Sequence, residues 1–548
     1  MTLRKLVLAA AIPALAIPLL LLAQQPEKID FEAIHKLKAA EFGGSGSGKP
    51  GSHAAAPVME IAYNLMDRYG PRLTNSPQFR AAGEWAVGKL KEWGLNNVQL
   101  EPWSTAEVRG GPIPSWEMKH YFGAMVEPTY MPIIGYPQAW TGSTRGSAAG
   151  EAVIAQNSTD EEMKKWHGKL KGKWVLTAPV TEGAGTAALP LAFPATPLAH
   201  RYSDSELAAL VPEVLPGAPA GGRGGPYSAL ANMSPDERLA FQEKQANYWK
   251  EEGVLGTITA SARGESGTVF ASNGAPRTGD PTKNAAAVAI AAENYNRIVR
   301  LVEHNVPVKL CFDIRNEFDM SKTDSFNVIA EIPGGSKADE LVMVGGHFDS
   351  WHMGTGATDN GAGAALAMEV MRLLKTTNLK MDRTVRMALW GGEEQGLFGS
   401  QAYVKAHFAD PATMKTTAGH DRFAGYFNID NGTGRIRGIY LQSNEAARPV
   451  FEAWFAALKD LTPGVVTARN TGGTDHESFD AVGLPGFQFI QDDMDYMTRT
   501  HHSNMDVYDR LQEQDLHQMA VIEAVFVYNA ATRAEKLPRK ELPAATAH

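Results

Sequence analysis

From residue 325 onward, short β-rich runs alternate with stretches of helical periodicity, and this alternation restricts the fold more than any other feature. Residues 326–332, 341–345, 384–389, 423–429 and 486–490 are apolar runs of strand length. Among them, 362–374, 399–407, 446–459 and 516–531 carry apolar residues at helical spacing, the first opened by Gly361. The pattern predicts an α/β fold with a mixed, mostly parallel sheet sandwiched by helices. Ligand sites in such folds lie beyond the carboxyl ends of the strands. His347, the pair Glu393-Glu394 and Asp430 each follow on one of these runs, so one edge of the sheet would receive them all.

The residue types at that edge suggest metal chemistry. His347 and Asp349 sit two apart, so in an extended segment their side chains share a face. An imidazole can ligate a metal through one ring nitrogen, while Asp349 is better placed to orient the ring or a neighbour. Asp359 stands just before the helix opened by Gly361, where its ordinary role would be a cap. A metal-binding carboxylate is the other reading, with Asn360 left to cap. Adjacent side chains on a regular strand point opposite ways, but the glycines at 391, 392 and 396 break the strand around Glu393 and Glu394. One carboxylate of that pair would bind metal and the other would handle protons. Asp430 ends an apolar run, where a charge is costly without a partner such as a metal. His501 and His502 are adjacent, and either imidazole is a candidate ligand. Tyr496 precedes them and offers a hydroxyl either to an oxyanion or to packing. Imidazole and carboxylate donors without thiolate suit zinc or its neighbours.

Composition narrows the partners. A chain of 548 residues suggests two or three domains, and 44% hydrophobic with 21% charged residues describes a globular protein. A net charge of -9 argues against nucleic acid, which needs a basic face. The single cysteine, Cys311, excludes an internal disulfide and thiolate metal sites. Arg4-Lys5, the apolar run 6–22 and the small Ala23 form the parts of a secretory signal over residues 1–23. Cleavage would give a secreted or periplasmic protein without a stable membrane span; Leu21 fits the cleavage pattern less well, which leaves retention as an anchor as the alternative. No other apolar stretch is long enough to cross a bilayer.

The Gly-, Ser- and Pro-rich stretch 42–52 reads as a flexible lead-in. Val58, Ile61, Ala62, Leu65 and Met66 then mark a helix that stops near Gly70-Pro71-Arg72-Leu73. A second helix is expected over 78–93 and a strand at 98–100. From about 116 to 300 the chain offers short strand-like runs at 151–155, 173–177 and 254–259, with a Pro-, Gly- and Ala-crowded loop at 211–226.

The words Gly346-His347-Phe348-Asp349-Ser350, Thr358-Asp359-Asn360-Gly361, Glu393-Glu394, Asn428-Ile429-Asp430-Asn431 and His501-His502-Ser503, in this order, resemble the M28 family of zinc exopeptidases, closest to its carboxypeptidase Q-like (plasma glutamate carboxypeptidase) branch. The resemblance spans about 57–533 and is sharpest at 345–508. It implies two Zn²⁺ per chain, with Co²⁺ or Mn²⁺ as substitutes: His347, Asp359 and Asp430 on one ion, and Asp359, Glu394 and His502 on the other. It further implies Glu393 as general base, Asp349 as a supporting carboxylate, and Thr474-Asp475-His476 as pocket lining. The domains would be residues 24–115 as the amino-terminal part of the peptidase, 116–300 as a protease-associated-like β-rich insertion, and 301–540 as the main peptidase domain. The insertion is either a lid over the site or a β-rich module without a substrate role. Short peptides would be the substrates, cleaved at their amino termini or as dipeptides; oligomeric state stays open, a homodimer included. A glutaminyl cyclase-like acyl transferase or a receptor-type scaffold without catalysis are the alternatives.

Overall fold

The computed structural model describes residues 27–43, 57–106, 108–177, 199–211, 233–461 and 464–545. The expected signal segment and most of the stretches 42–52 and 211–226 lie outside the described residues. An eight-stranded sheet carries the order Asn96–Trp103, Ser325–Ile332, Arg383–Trp390, Lys337–His347, Phe423–Asn428, Gly486–Gln491, Ile436–Tyr440 and Val465–Thr467. Its four central strands, from Arg383–Trp390 to Gly486–Gln491, run parallel, and antiparallel pairs flank them on both sides. The fold is therefore mixed α/β with helices on both faces, as the alternation predicts.

Period-two alternation sorts the side chains between the two faces. Val342, Val344, Val385, Met387 and Leu389 join the larger core with the helices Phe31–Phe42, Pro77–Glu92, Ala362–Thr376, Arg448–Ala456 and Glu513–Thr532. Met343, Ala388 and Trp390 point the other way, onto Phe398–His407 and His476–Asp480. Phe526 anchors the larger core, with ring centroids of Phe427, Phe451, Trp454, Phe455 and Phe489 at 5.9, 5.6, 5.1, 4.8 and 5.3 Å.

A second eight-stranded mixed sheet runs Met131–Pro132, Ser115–Glu127, Lys309–Asp319, Ala148–Ile154, Trp174–Leu176, Gly256–Ser261, Ala286–Ala291 and Gly135–Pro137. Lys309–Asp319, beyond residue 300, is its longest partner for Ser115–Glu127. Chain connections to the first sheet leave side by side, since Trp103 pairs with Ser325 and Ser115 with Asp319. Trp116, Trp140, Val269 and Ala289 of this half pack with Trp103, Trp351 and Met353 of the other. Among the described helices of ten residues or more, three were not apparent in the sequence: Phe31–Phe42, Pro235–Glu252 and Ala292–Glu303. Pro235–Glu252 is mostly polar, and its local signatures are the caps: Ser234 and Glu237 bonding reciprocally around an N-terminal proline, and Gly253 in the left-handed region at its end.

Truncating Phe526 to alanine removes the ring on which five others close. We expect a loss of about 3–5 kcal/mol, read as a lowered midpoint of urea unfolding.

Candidate metal centre

The carboxyl ends of the parallel strands deliver the site. His347 is the last residue of its strand, Glu393 and Glu394 follow Trp390, and Asp430 follows Asn428. Gly392 at φ 74° and Gly396 at φ 137° turn the chain sharply on either side of the glutamates, which a residue with a side chain would resist. Asp349 fixes that turn: its Oδ1 accepts from Glu393 N at 3.2 Å, its Oδ2 from Glu394 N at 3.4 Å and from Thr74 Oγ1 at 2.7 Å. It also orients His347, whose Nδ1 lies 3.0 Å from the Asp349 carbonyl and 3.7 Å from its Oδ1.

Two donor groups share Asp359. His347 Nε2 lies 3.3 Å from Asp359 Oδ1 and 3.2 Å from Asp430 Oδ1. His502 Nε2 lies 3.2 Å from Asp359 Oδ2 and 2.9 Å from Glu394 Oε2. The ligating atoms of His347, Asp359 and Asp430 fall within 4.8 Å of one another, as do those of Asp359, His501 and His502. His501, outside the ligand set that the resemblance implies, also comes close: its ring stacks on His502 at 3.7 Å and its Nε2 is 3.9 Å from Asp359 Oδ2. Glu393 Oε2 reaches within 3.9 Å of His347 Nε2. Asn360, not Asp359, bonds the following helix, its Oδ1 accepting from Gly363 N at 3.0 Å. Tyr496 donates its hydroxyl to Asp359 Oδ1 at 2.9 Å, a contact with a carboxylate that sequence reasoning did not foresee. Asp475 is fully buried and faces Ser400.

The electrostatics of this cluster fit a cation. Burial, reinforced by Asp430 and Glu394, pushes the Glu393 carboxyl well above its usual range; burial and Asp359 push Glu394 up to about 7. Burial would lower His347, but Asp430 and Glu393 outweigh it and hold the ring well above an ordinary histidine. His502 is likewise raised to about 10 against burial by Glu394 and Asp359. Such a site demands protons wherever no other positive charge is supplied. Asp359 Oδ2 and Glu394 Oε1 are buried without a hydrogen-bond partner, although His502 Nε2 stands 3.2 Å from Asp359 Oδ2. Close approach without alignment is what oxygens gathered around a shared ion show. The donor set, imidazole and carboxylate only, agrees with zinc.

Arg72, from the Gly-Pro-Arg-Leu segment, holds the loops that carry these residues. Fully buried, it donates to the carbonyls of Phe348 at 2.7 Å, Leu65 at 2.7 Å, Gly356 at 2.8 Å and Thr355 at 3.0 Å. Burial lowers its pKa to about 10, against the pull of Asp506, Asp349, Asp359 and Glu394. Replacing Arg72 by leucine strands those carbonyls. We expect a loss of about 3 kcal/mol or more in unfolding free energy, measured by denaturant titration.

Residues 327–527 match the sequence profile of Peptidase family M28. Over 482 residues the chain is 25% identical to carboxypeptidase Q of Mus musculus, an alignment covering 87% of this chain and 86% of that protein. The crystal structure of a peptidase M28 precursor from Shewanella amazonensis SB2B matches with a TM-score of 0.63 at 23% identity, covering 94% of this chain and 98% of that one. A zinc aminopeptidase structure from Bacillus subtilis matches at 0.52 and 17% identity, over 88% of this chain and 97% of that one. Both structures share the fold.

Proposed function

We propose that this chain, whose residues 327–527 are a domain of peptidase family M28, is a two-zinc exopeptidase that removes amino-terminal residues from short peptides or splits dipeptides. The observation that carries the reading is the pair of donor groups joined at Asp359 beside the buried Glu393. His347, Asp359 and Asp430 would hold one ion, and Asp359, Glu394 and His502 the other, with His501 packed behind His502. Zinc ions held there would polarise a scissile carbonyl and bring the pKa of a water toward neutrality.

The protein's own groups do the rest. Glu393 takes a proton from the attacking water and returns it to the departing nitrogen; burial, with Asp430 and Glu394 nearby, raises its carboxyl well above the usual range and so favours proton uptake. Asp349 keeps Glu393 in place through the backbone amides of the turn, so its effect on rate passes through Glu393. Tyr496 fixes Asp359 by the hydroxyl bond; in the reacting complex that hydroxyl can instead face the oxyanion, one of the two roles the sequence leaves open for it. Asp475, its carboxyl raised to about 8 chiefly by burial, is our candidate for holding the substrate ammonium. The mouse relative carries the name carboxypeptidase, so the end of the peptide attacked has to be tested directly. Residues 116–300, with the strand Lys309–Asp319 that completes their sheet, act as an insertion that walls the site, and residues 1–23 direct export.

Three measurements bear on this. Chelation should abolish hydrolysis of Ala-Ala and aminoacyl substrates, and zinc or cobalt should restore it; undiminished activity in metal-free protein would overturn the proposal. Glu393→Gln should keep both ions by metal analysis while turnover falls by roughly 10²–10⁴-fold, whereas Glu394→Gln should lose metal. Acetylating the amino terminus should slow cleavage strongly, because it removes the anchor that orients the first peptide bond. If amidating the carboxyl terminus, and not acetylation, blocks the reaction, the enzyme works from the other end.

A further inference from the structure

A cavity of about 970 Å³ lies against the glutamate turn, lined there by Gln395 and Gly396. Its opposite wall belongs to the second half of the molecule and contains Arg277. That side chain is 5% exposed, and burial alone lowers its pKa, to about 10; no carboxylate contributes. Its Nη2 donates to the Arg109 carbonyl at 3.1 Å and its guanidinium lies over the Trp140 ring at 5.0 Å, while its Nε has no hydrogen-bond partner. The backbone is shaped around it: a Cβ on Gly110, at φ 86°, would meet Nη2 at 3.0 Å. Arg109, Arg238 and Lys405 also line the cavity, against one acid among the described residues, Asp236.

A buried guanidinium without an anionic partner is costly, and a planar donor fork matches a carboxylate. We infer that this cavity is a subsite for a carboxylate of the peptide substrate, with Arg277 as its specificity-determining residue. The inference rests on the peptidase reading for the identity of the ligand. The chain links the cavity to the cluster at two places: Gln395 in its lining directly follows Glu394, and the segment whose Ala271 N bonds the His502 carbonyl at 3.2 Å continues through Asn273 to Arg277 along the cavity wall.

The test compares Ala-Glu with Ala-Gln, and each with its carboxyl-terminal amide, as substrates of wild type, Arg277→Gln and Arg277→Lys. Wild type should lose about tenfold or more in kcat/KM when the recognised carboxylate is neutralised. Loss with the Glu-to-Gln change assigns the side chain; loss on amidation assigns the terminal carboxylate. In Arg277→Gln the acid-to-neutral ratio should collapse to below about threefold, and Arg277→Lys should keep part of it. The same four compounds made with a reduced, uncleavable bond are titrated by calorimetry in parallel. Arg277-dependent preference in binding supports the subsite even if no peptide is hydrolysed, an outcome that would defeat only the functional proposal. A wild type that binds acid and amide forms equally, or an Arg277→Gln protein that keeps the full ratio, overturns the inference.

Discussion

An excess of buried negative charge is the constraint around which this structure is arranged. Asp349, Asp359, Glu393, Glu394 and Asp430 converge where four parallel strands end, each almost wholly withdrawn from water. Carboxylates in such surroundings are tolerated only when cations or well-aligned donors compensate them. Arg72 is a permanent buried cation nearby, but its donors are spent on four backbone carbonyls. His347 and His502 are close enough to share protons with the carboxylates, yet a proton on each ring leaves the set still negative. The proposed divalent ions would close the balance, and the same deficit that would destabilise the empty cluster would supply the affinity that fills it.

Rigidity has to come from elsewhere, because mutually repelling groups do not hold one another in place. It comes from the layers behind them. Asp349 ties the glutamate turn to the His347 strand, and Thr74 ties Asp349 in turn to the segment after Arg72. Beneath the site Trp390 donates to the Tyr426 hydroxyl at 2.7 Å, and Asn428 donates to Thr474 at 2.9 Å, linking the strands that carry Glu393 and Asp430 to the loop of Asp475. All of these contacts but the partly buried one from Glu393 N to Asp349 are buried, where a hydrogen bond is electrostatically stronger and its loss more costly.

Much of this was legible in the sequence because two local signals coincide. Apolar runs fixed the strands near their observed places: 384–389 is found as Arg383–Trp390, and 362–374 as Ala362–Thr376. Polar residues stranded at the ends of such runs then marked His347, Asp430 and the glutamate pair. What could not be read depends on contacts distant in sequence. Helix Phe31–Phe42 buries Ala33, Ile34 and Leu37, a short apolar pattern beside a polar stretch, and is held by pairs such as Glu41 with His517 at 2.6 Å. The hydroxyl of Tyr496 meets Asp359 across 137 residues, which no local pattern encodes. Likewise Lys309–Asp319 alternates charged and apolar residues, and only its pairing with Ser115–Glu127 places it in the second sheet.

The two halves of the molecule divide the work along that same line. Groups that break a bond must be held by short connections, and they sit on strand ends of one sheet, within hydrogen-bonding distance of each other's backbone. Groups that choose among substrates need only face the bound peptide, and in the proposed reading the second half would supply them over longer spans. The segment between Phe270 and Arg277 joins the two tasks, pairing with Ser503 beside the metal-site histidine at one end and reaching the basic cavity at the other. A change in the second half can therefore alter which carboxylate is accepted without moving His347, Glu393 or Asp430, because no ligand of the cluster lies on it.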